Sequence, residues 1–482
     1  MELKDLIALC LIAVAIPVGV VATCASQRAR NAAFFILVFA STVTDRLDVN
    51  FATRFWYRGT TRGFEFSFID ILAISVLVSS MLLPRPDQKR WYWPASLGAM
   101  LLYFFYCCFS VVISDPKLFG LFELSKIVRG IVVFLAAAMF VQTERELRLL
   151  VLAFGCTLCF EGALALKYRY INGIYRVPGS LFHPNSLSMY LCTVAPVLVA
   201  ATASDFPKPL RAFSFLALGA AAVTILLTVS RAGIPIFAFV TLGAMLACVS
   251  FRITFKKTAV ALVVCALVGG MVYKSWGTLK ARYGEASLEQ EYLENKFENR
   301  GFYFRLAREI LADRFLGVGL NNWSYVVSAI YGPRLGVPYE AYPNTTDAPN
   351  KEEASEFAFA APAHNLGVLT AGELGWPGLF IFTLIWLRWF QMGASFLWRR
   401  TSQAMHRLGA GIFFGTCGIF LQSLTEWTYR QTQIFYTFNI MIGALASLYY
   451  VKHRTARAPI ELEAMAEDFA ECDELAETPF AQ

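Results

Sequence analysis

Four arginines, a histidine and two asparagines stand at the edges of long apolar runs, where polar side chains need a reason to be. Arg176 opens the stretch Arg-Val-Pro-Gly-Ser-Leu-Phe-His-Pro-Asn185 just before one such run. Ser230-Arg231 interrupts two others almost without a loop, and Arg300 and Arg305 belong to a helical segment or its start. His364-Asn365 stands where a later run begins. A guanidinium matches phosphate with a bidentate fork and cannot lose its proton. A neutral imidazole, with an unperturbed pKa of about 6.5, can take a proton from a sugar hydroxyl. Arginines gathered at a membrane surface around one histidine therefore suit a transferase: they hold a diphosphate leaving group while His364 activates the acceptor.

Each residue also has a plainer reading. A boundary arginine commonly snorkels to lipid headgroups, which is the simpler account of Arg308 and Arg314. Arg305 stands between the two readings and is carried as substrate-binding. Arg231 is harder to dismiss, because two spans meet at it. His183, followed by Pro184, can be a helix cap and is a secondary candidate, while His406 and His453 lie in basic clusters facing water. Inside the apolar runs, Glu123, Lys126 and Arg129 recur at three-residue steps, and Asp70 and Glu161 lie near or within other runs. A charge at lipid depth costs at least about 2.5–3.5 kcal/mol, so these groups should pair within a bundle or line a substrate path.

The elements that must carry these residues are membrane helices. Of the 482 residues, 57% are hydrophobic and 16% charged, against about 25% charged in soluble domains, and the mean hydropathy is +0.52. Apolar runs at 6–24, 31–44, 68–83, 95–114, 118–142, 149–166, 186–203, 212–229, 232–251, 258–274, 366–390, 409–424 and 433–451 predict an all-α polytopic bundle of about 12–13 spans. Only helices satisfy their own backbone in lipid at these lengths. Lys and Arg cluster at every second turn, assigning those turns to the cytoplasm and the intervening ones to the exterior. This organises the chain as transmembrane helices over 1–274, a large external loop over 275–365, C-terminal spans over 366–451, and an acidic tail over 452–482 that reads as disordered. The external loop contains a helical stretch from Tyr303 to Asp313, with Phe304, Ala307, Ile310 and Leu311 on one face, as expected of a lid. The charge of +7 reflects the basic turns and gives no nucleic-acid face. The 11 cysteines lie mostly in apolar runs, and no metal-ligand set or cofactor motif is present, so metal-independent chemistry is expected.

The motifs together resemble the O-antigen ligase and polymerase family of bacterial membrane glycosyltransferases. The likeness rests on the Arg176–Asn185 stretch, on Ser230-Arg231-Ala-Gly, and on Asn299-Arg300 followed by Gly317-Val-Gly-Leu-Asn-Asn-Trp. It also rests on Ala363-His364-Asn365-Leu with Glu373-Leu-Gly375 and Gly378. Phe304 stands where the family often has Trp. The resemblance covers about residues 118–451 and implies a membrane-embedded glycosyltransferase of the type that uses lipid-linked donors. By that resemblance Arg231 and Arg300 bind the donor's pyrophosphate and His364 orients or deprotonates the acceptor. Arg176, Asn185, Arg305, Asn365 and Glu373 complete the substrate site. The implied partners are a polyprenyl-diphosphate-linked glycan, a glycan or lipid-linked acceptor, membrane lipids and a chain-length regulator. The implied place is the bacterial inner membrane, with the site facing outward. The span count favours a polymerase; a lipid A core ligase and a protein glycosyltransferase remain alternatives within the family. A lipid-linked glycan flippase using Glu123, Lys126, Arg129 and Glu161 is the alternative from another class.

Overall fold

The computed structural model describes residues 3–43, 48–249, 300–337, 339, 359–398 and 401–476, with scattered positions between 266 and 284; side chains are described as far as Arg454. Nine helices come first: α1 Leu3–Ala25, α2 Gln27–Ala40, α3 Phe68–Leu82, α4 Leu97–Ile113, α5 Lys117–Phe140, α6 Glu144–Leu166, α7 Pro184–Ala203, α8 Lys208–Thr228 and α9 Gly233–Cys248. Further along the chain come α10 Arg300–Asp313, α11 Leu366–Ala394, α12 Ala404–Ser423 and α13 Thr432–Ala476. Among the described residues, six helices are long and apolar enough to cross a membrane, and four more are apolar but shorter. Leu11, Val14, Phe105, Val112, Leu216, Phe239, Phe380 and Leu387 are all exposed. Apolar side chains displayed on so many helices are the surface of a multi-pass membrane protein.

Every apolar run expected to span, where it falls within the described residues, forms a helix; the run at 258–274 lies outside them. α5 is long enough to cross but carries Glu123, Lys126 and Arg129 on its buried face. α7 is the central helix, buried from Ser186 to Ala201 and packed against α8, α9 and α12.

The turns sort to two ends of the bundle. At one end Arg30 Nη1 donates to the Leu83 carbonyl at 2.8 Å, Arg85 pairs with Glu146, and the Asp205 amide donates to the Ser402 carbonyl at 3.0 Å. At the other end Ser180 Oγ donates to the Thr42 carbonyl at 3.3 Å and Asn365 Nδ2 to the Leu424 carbonyl at 2.9 Å. α2, although short, connects the two, with Arg30 at the first end and Thr42 beyond its C-terminus at the second. The chain leaves the described residues after α9 near Arg407 (its carbonyl lies 3.8 Å from Cys248 Sγ) and re-enters at Arg300 beside Thr425.

The fold is helical as expected, with a short hairpin beside the helices: β1 Asp48–Phe51 and β2 Phe64–Ser67 pair antiparallel, Asp48 opposite Ser67. Their alternating polar and apolar residues form a two-stranded hairpin whose tip meets the bundle end, Tyr57 and Thr60 bonding to Asn321. α13 is helical as far as Ala476. The face that α10 buries is Phe302, Tyr303, Leu306, Ala307 and Ile310, with Phe304 exposed. The expected face was one position out of phase: Phe302 and Tyr303 pack with Val368 and Leu369 of α11, turning Phe304 outward.

Candidate functional site

The sequence segments that close the second end bring most of the expected residues together. Asn365 caps α11, its Oδ1 accepting from the Val368 amide at 2.9 Å, while its Nδ2 reaches the Leu424 carbonyl. The cap fixes the chain direction at His364, whose Nδ1 lies 2.8 Å from Glu426 Oε2. Tyr303 of α10 stands against the imidazole, ring centroids 5.7 Å apart. Glu426, in the turn between α12 and α13, also accepts from Asn185 Nδ2 at 2.8 Å. Asn185 Oδ1 in turn accepts from Arg176 Nη2 at 3.0 Å and from Ser230 Oγ at 3.4 Å. Arg300 anchors from the lid side, its Nε and Nη2 donating to the Thr425 carbonyl at 3.3 and 3.2 Å.

Glu426 is the hub, and its buried carboxylate stays charged. Burial alone would raise its pKa, but the hydrogen bond and charge of His364, the charge of Arg300 and the Asn185 amide together hold it below the usual carboxylate range. An ionised Glu426 makes Nδ1 of His364 a protonated nitrogen, so that in the neutral ring Nε2 carries the lone pair. His364 is 41% exposed and Glu426 only 8%, so the pair has one closed side and one open side. The open side faces a cleft of about 710 Å³, also lined by His183, Arg58, Arg62, Phe55, Trp427 and Arg430.

No protein-family model matches the chain, and no curated protein matches it either. What the site can do is read from its own geometry.

Arg176, Asn185, Arg300, His364 and Asn365 thus fall into one cluster. Arg231 adjoins it through Ser230, in the α8–α9 turn that Val229 opens with a left-handed backbone, φ 49°; its carbonyl accepts from the Tyr283 hydroxyl at 3.1 Å. Two expected residues fall elsewhere. Arg305 is exposed on α10, on the side away from the buried face that carries Tyr303 to His364. Glu373 is buried within α11 and pairs with Arg430 Nη2 at 2.8 Å. Arg430 also reaches Glu123 Oε1 at 3.2 Å, and Glu123 Oε2 lies 2.9 Å from Lys126 Nζ. The four charges cancel in a buried network completed by Thr61 and the Arg430 carbonyl.

The backbone around Glu373 explains the Gly-x-Gly and Glu-Leu-Gly motifs in structural terms. α11 breaks at Gly375, φ 68°, two residues before Pro377. The Gly317-Val-Gly strand docks into the break, the Val318 amide on the Gly372 carbonyl at 3.0 Å and the Gly319 amide on the Glu373 carbonyl at 2.8 Å. A Cβ on Gly317 would overlap the Glu373 carbonyl, and one on Gly375 the Phe315 carbonyl, so only glycine permits the approach. The other intramembrane charges are likewise paired: Arg129 Nη2 lies 2.9 Å from Asp70, and Glu161 accepts from the Ser180 amide at 3.0 Å.

Sequence reasoning missed Glu426, Arg430 and the hairpin arginines Arg58 and Arg62. A signal for the first two was present: Glu426 and Arg430 are two charges of opposite sign in the short turn between the last two spans.

Proposed function

We propose that this chain is a membrane glycosyltransferase that moves a glycan from a polyprenyl diphosphate to an acceptor sugar hydroxyl, as an exopolysaccharide or O-antigen polymerase of the kind it resembles. In this reading it sits in the bacterial inner membrane with the cleft facing outward, because the Lys- and Arg-rich turns lie at the opposite end. The observation that carries the reading is the His364–Glu426 pair at the wall of a cleft lined by Arg58 and Arg62, with Arg176 and Arg300 held to the same pair through Asn185 and the Thr425 carbonyl. Nε2 of His364 takes the acceptor hydroxyl proton as the oxygen bonds to the anomeric carbon. The bond from that carbon to the diphosphate breaks, its electron pair leaves with the polyprenyl diphosphate, and the anomeric centre inverts. Arg231, Arg300 and Arg176 supply positive charge for the departing diphosphate. Phe55 and Trp427 offer aromatic faces to the sugars.

In the transporter alternative Glu123, Lys126, Arg129 and Glu161 would form the path, and these residues are engaged in pairs or hydrogen bonds. The test is transfer from a defined lipid-linked donor by purified, reconstituted protein. His364→Ala and Arg231→Ala, each folded and inserted at the level of the parent, should both lose it; full transfer by both rejects the reading.

A further inference from the structure

His183 and His364 line the same cleft, and hydrogen bonding holds them in opposite tautomers. His364 has Nδ1 on the carboxylate of Glu426, so its outer nitrogen, Nε2, is a proton acceptor. His183 is the N-cap of α7, and its Nδ1 accepts from the Asn185 amide at 3.2 Å. A nitrogen that accepts cannot carry the proton, so in the neutral ring the proton is on Nε2. Two residues apart in sequence, the cap and Asn185 are tied to one another and, through Asn185 Nδ2, to Glu426. His183 stands in the electrostatic field of Glu426, Arg176 and His364, so it is part of the cluster as well as of the helix end.

We infer that His183 is a substrate-contacting residue whose Nε2–H donates a hydrogen bond to the diphosphate of the lipid-linked donor, opposite the base at His364. The inference rests on the glycosyltransferase reading and deepens it. A neutral imidazole suits this place: it gives a directed donor to an anionic oxygen without adding a third full positive charge next to Arg176 and Arg300. It also divides the cleft, with the acceptor's hydroxyl on the His364 side and the leaving group on the His183 side, so that proton and electron pair depart in different directions.

The cap and the donor can be separated by substitution. His183→Asn keeps a side-chain acceptor able to cap α7 but has no group reaching the Nε2 position. The purified protein is titrated with polyprenyl diphosphate lacking a glycan, read as inhibition of transfer and as direct binding. His183→Asn should bind it roughly 10- to 100-fold more weakly, as for loss of a hydrogen bond to a charged group. It should raise KM for the donor while the pH profile set by His364 is unchanged. Binding and KM equal to the parent in His183→Asn, with His364→Ala inactive, overturn the inference alone. A parent protein that does not bind polyprenyl diphosphate overturns the glycosyltransferase reading and this inference with it.

Discussion

Two carboxylate-centred clusters lie a few residues apart at the same end of the bundle, and they are built for opposite purposes. In the first, Glu123 and Glu373 face Lys126 and Arg430, two negative charges against two positive, all buried and all paired. In the second, Glu426 alone faces Arg176 and Arg300 through Asn185 and the Thr425 carbonyl, and its direct partner is a histidine that is 41% exposed. The first cluster is charge-balanced and buried, and Arg430 is its link to the cleft. The open one keeps an excess of positive charge and a titratable group at the cleft. Burial of the partners, rather than the presence of charge near lipid, separates a charge that holds helices together from one that meets a substrate. Arg430 belongs to the wall of the cleft and to the buried network at once, which couples the position of the turn carrying Glu426 to the fold of α5 and α11.

The largest effect that would break this contrast concerns Glu373. Removing one partner of a buried ion pair leaves an uncompensated charge and costs about 3–5 kcal/mol, a large share of the roughly 5–15 kcal/mol that keeps a protein folded. Glu373→Ala should therefore lower the thermal midpoint in detergent sharply and reduce yield, with transfer lost only as folded protein is lost. A variant that melts like the parent but transfers nothing would return Glu373 to the substrate and dissolve the distinction. His364→Ala should do the reverse. Its half-exposed ring supports little of the fold, so the melting midpoint stays close to the parent's while transfer falls by about 10²- to 10⁴-fold, the range for loss of a general base.

Glu426 sharpens the contrast through pH. Its carboxyl titrates below its unfolded value, about 4.3, because His364, Arg300 and Asn185 favour the charged form more than burial disfavours it. A carboxylate depressed in the folded state contributes stability that is fully present above the unfolded pKa and is lost as pH falls through the folded one. The difference in thermal midpoint between the parent and Glu426→Gln should thus be constant above about pH 5 and shrink as the solution is made more acidic. At neutral pH the same variant should transfer slowly, because an amide no longer fixes the proton on His364 Nδ1. A midpoint difference that grows on acidification would mean that Glu426 is protonated in the fold.

How much of this was legible depends on the physical signal. The helices were, because a span must be apolar along its whole length and Lys and Arg mark alternate turns. Arg176, Asn185, Arg300, His364 and Asn365 were, because polar residues at span edges are few and each stood out. The partner of Glu373 was not legible, because a buried acid inside a span looks alike whether it faces a ligand or an arginine 57 positions away. Glu426 was missed because its importance lies in three partners distant in sequence. The hairpin was missed because four-residue strands carry almost no periodic signal, and the phase of α10 because Phe304 and Phe302 are equally apolar.

The smallest effect separates two arginines on one helix. Arg300 donates twice to the carbonyl of Thr425, next to Glu426, whereas Arg305 is one and a half turns on and exposed. A surface substitution away from packed or charged partners changes stability by no more than about 0.5 kcal/mol, so Arg305→Ala should melt and transfer like the parent, within about twofold. Arg300→Lys should be worse than Arg305→Ala despite keeping its charge, because a lysine cannot reproduce the planar fork that spans Nε and Nη2. Measured side by side with the lipid-linked donor, equal losses in the two would mean that α10 serves the donor along its length as a charged surface. A loss confined to Arg300 would mean that the helix acts at one point, where its first turn grips the turn that carries Glu426.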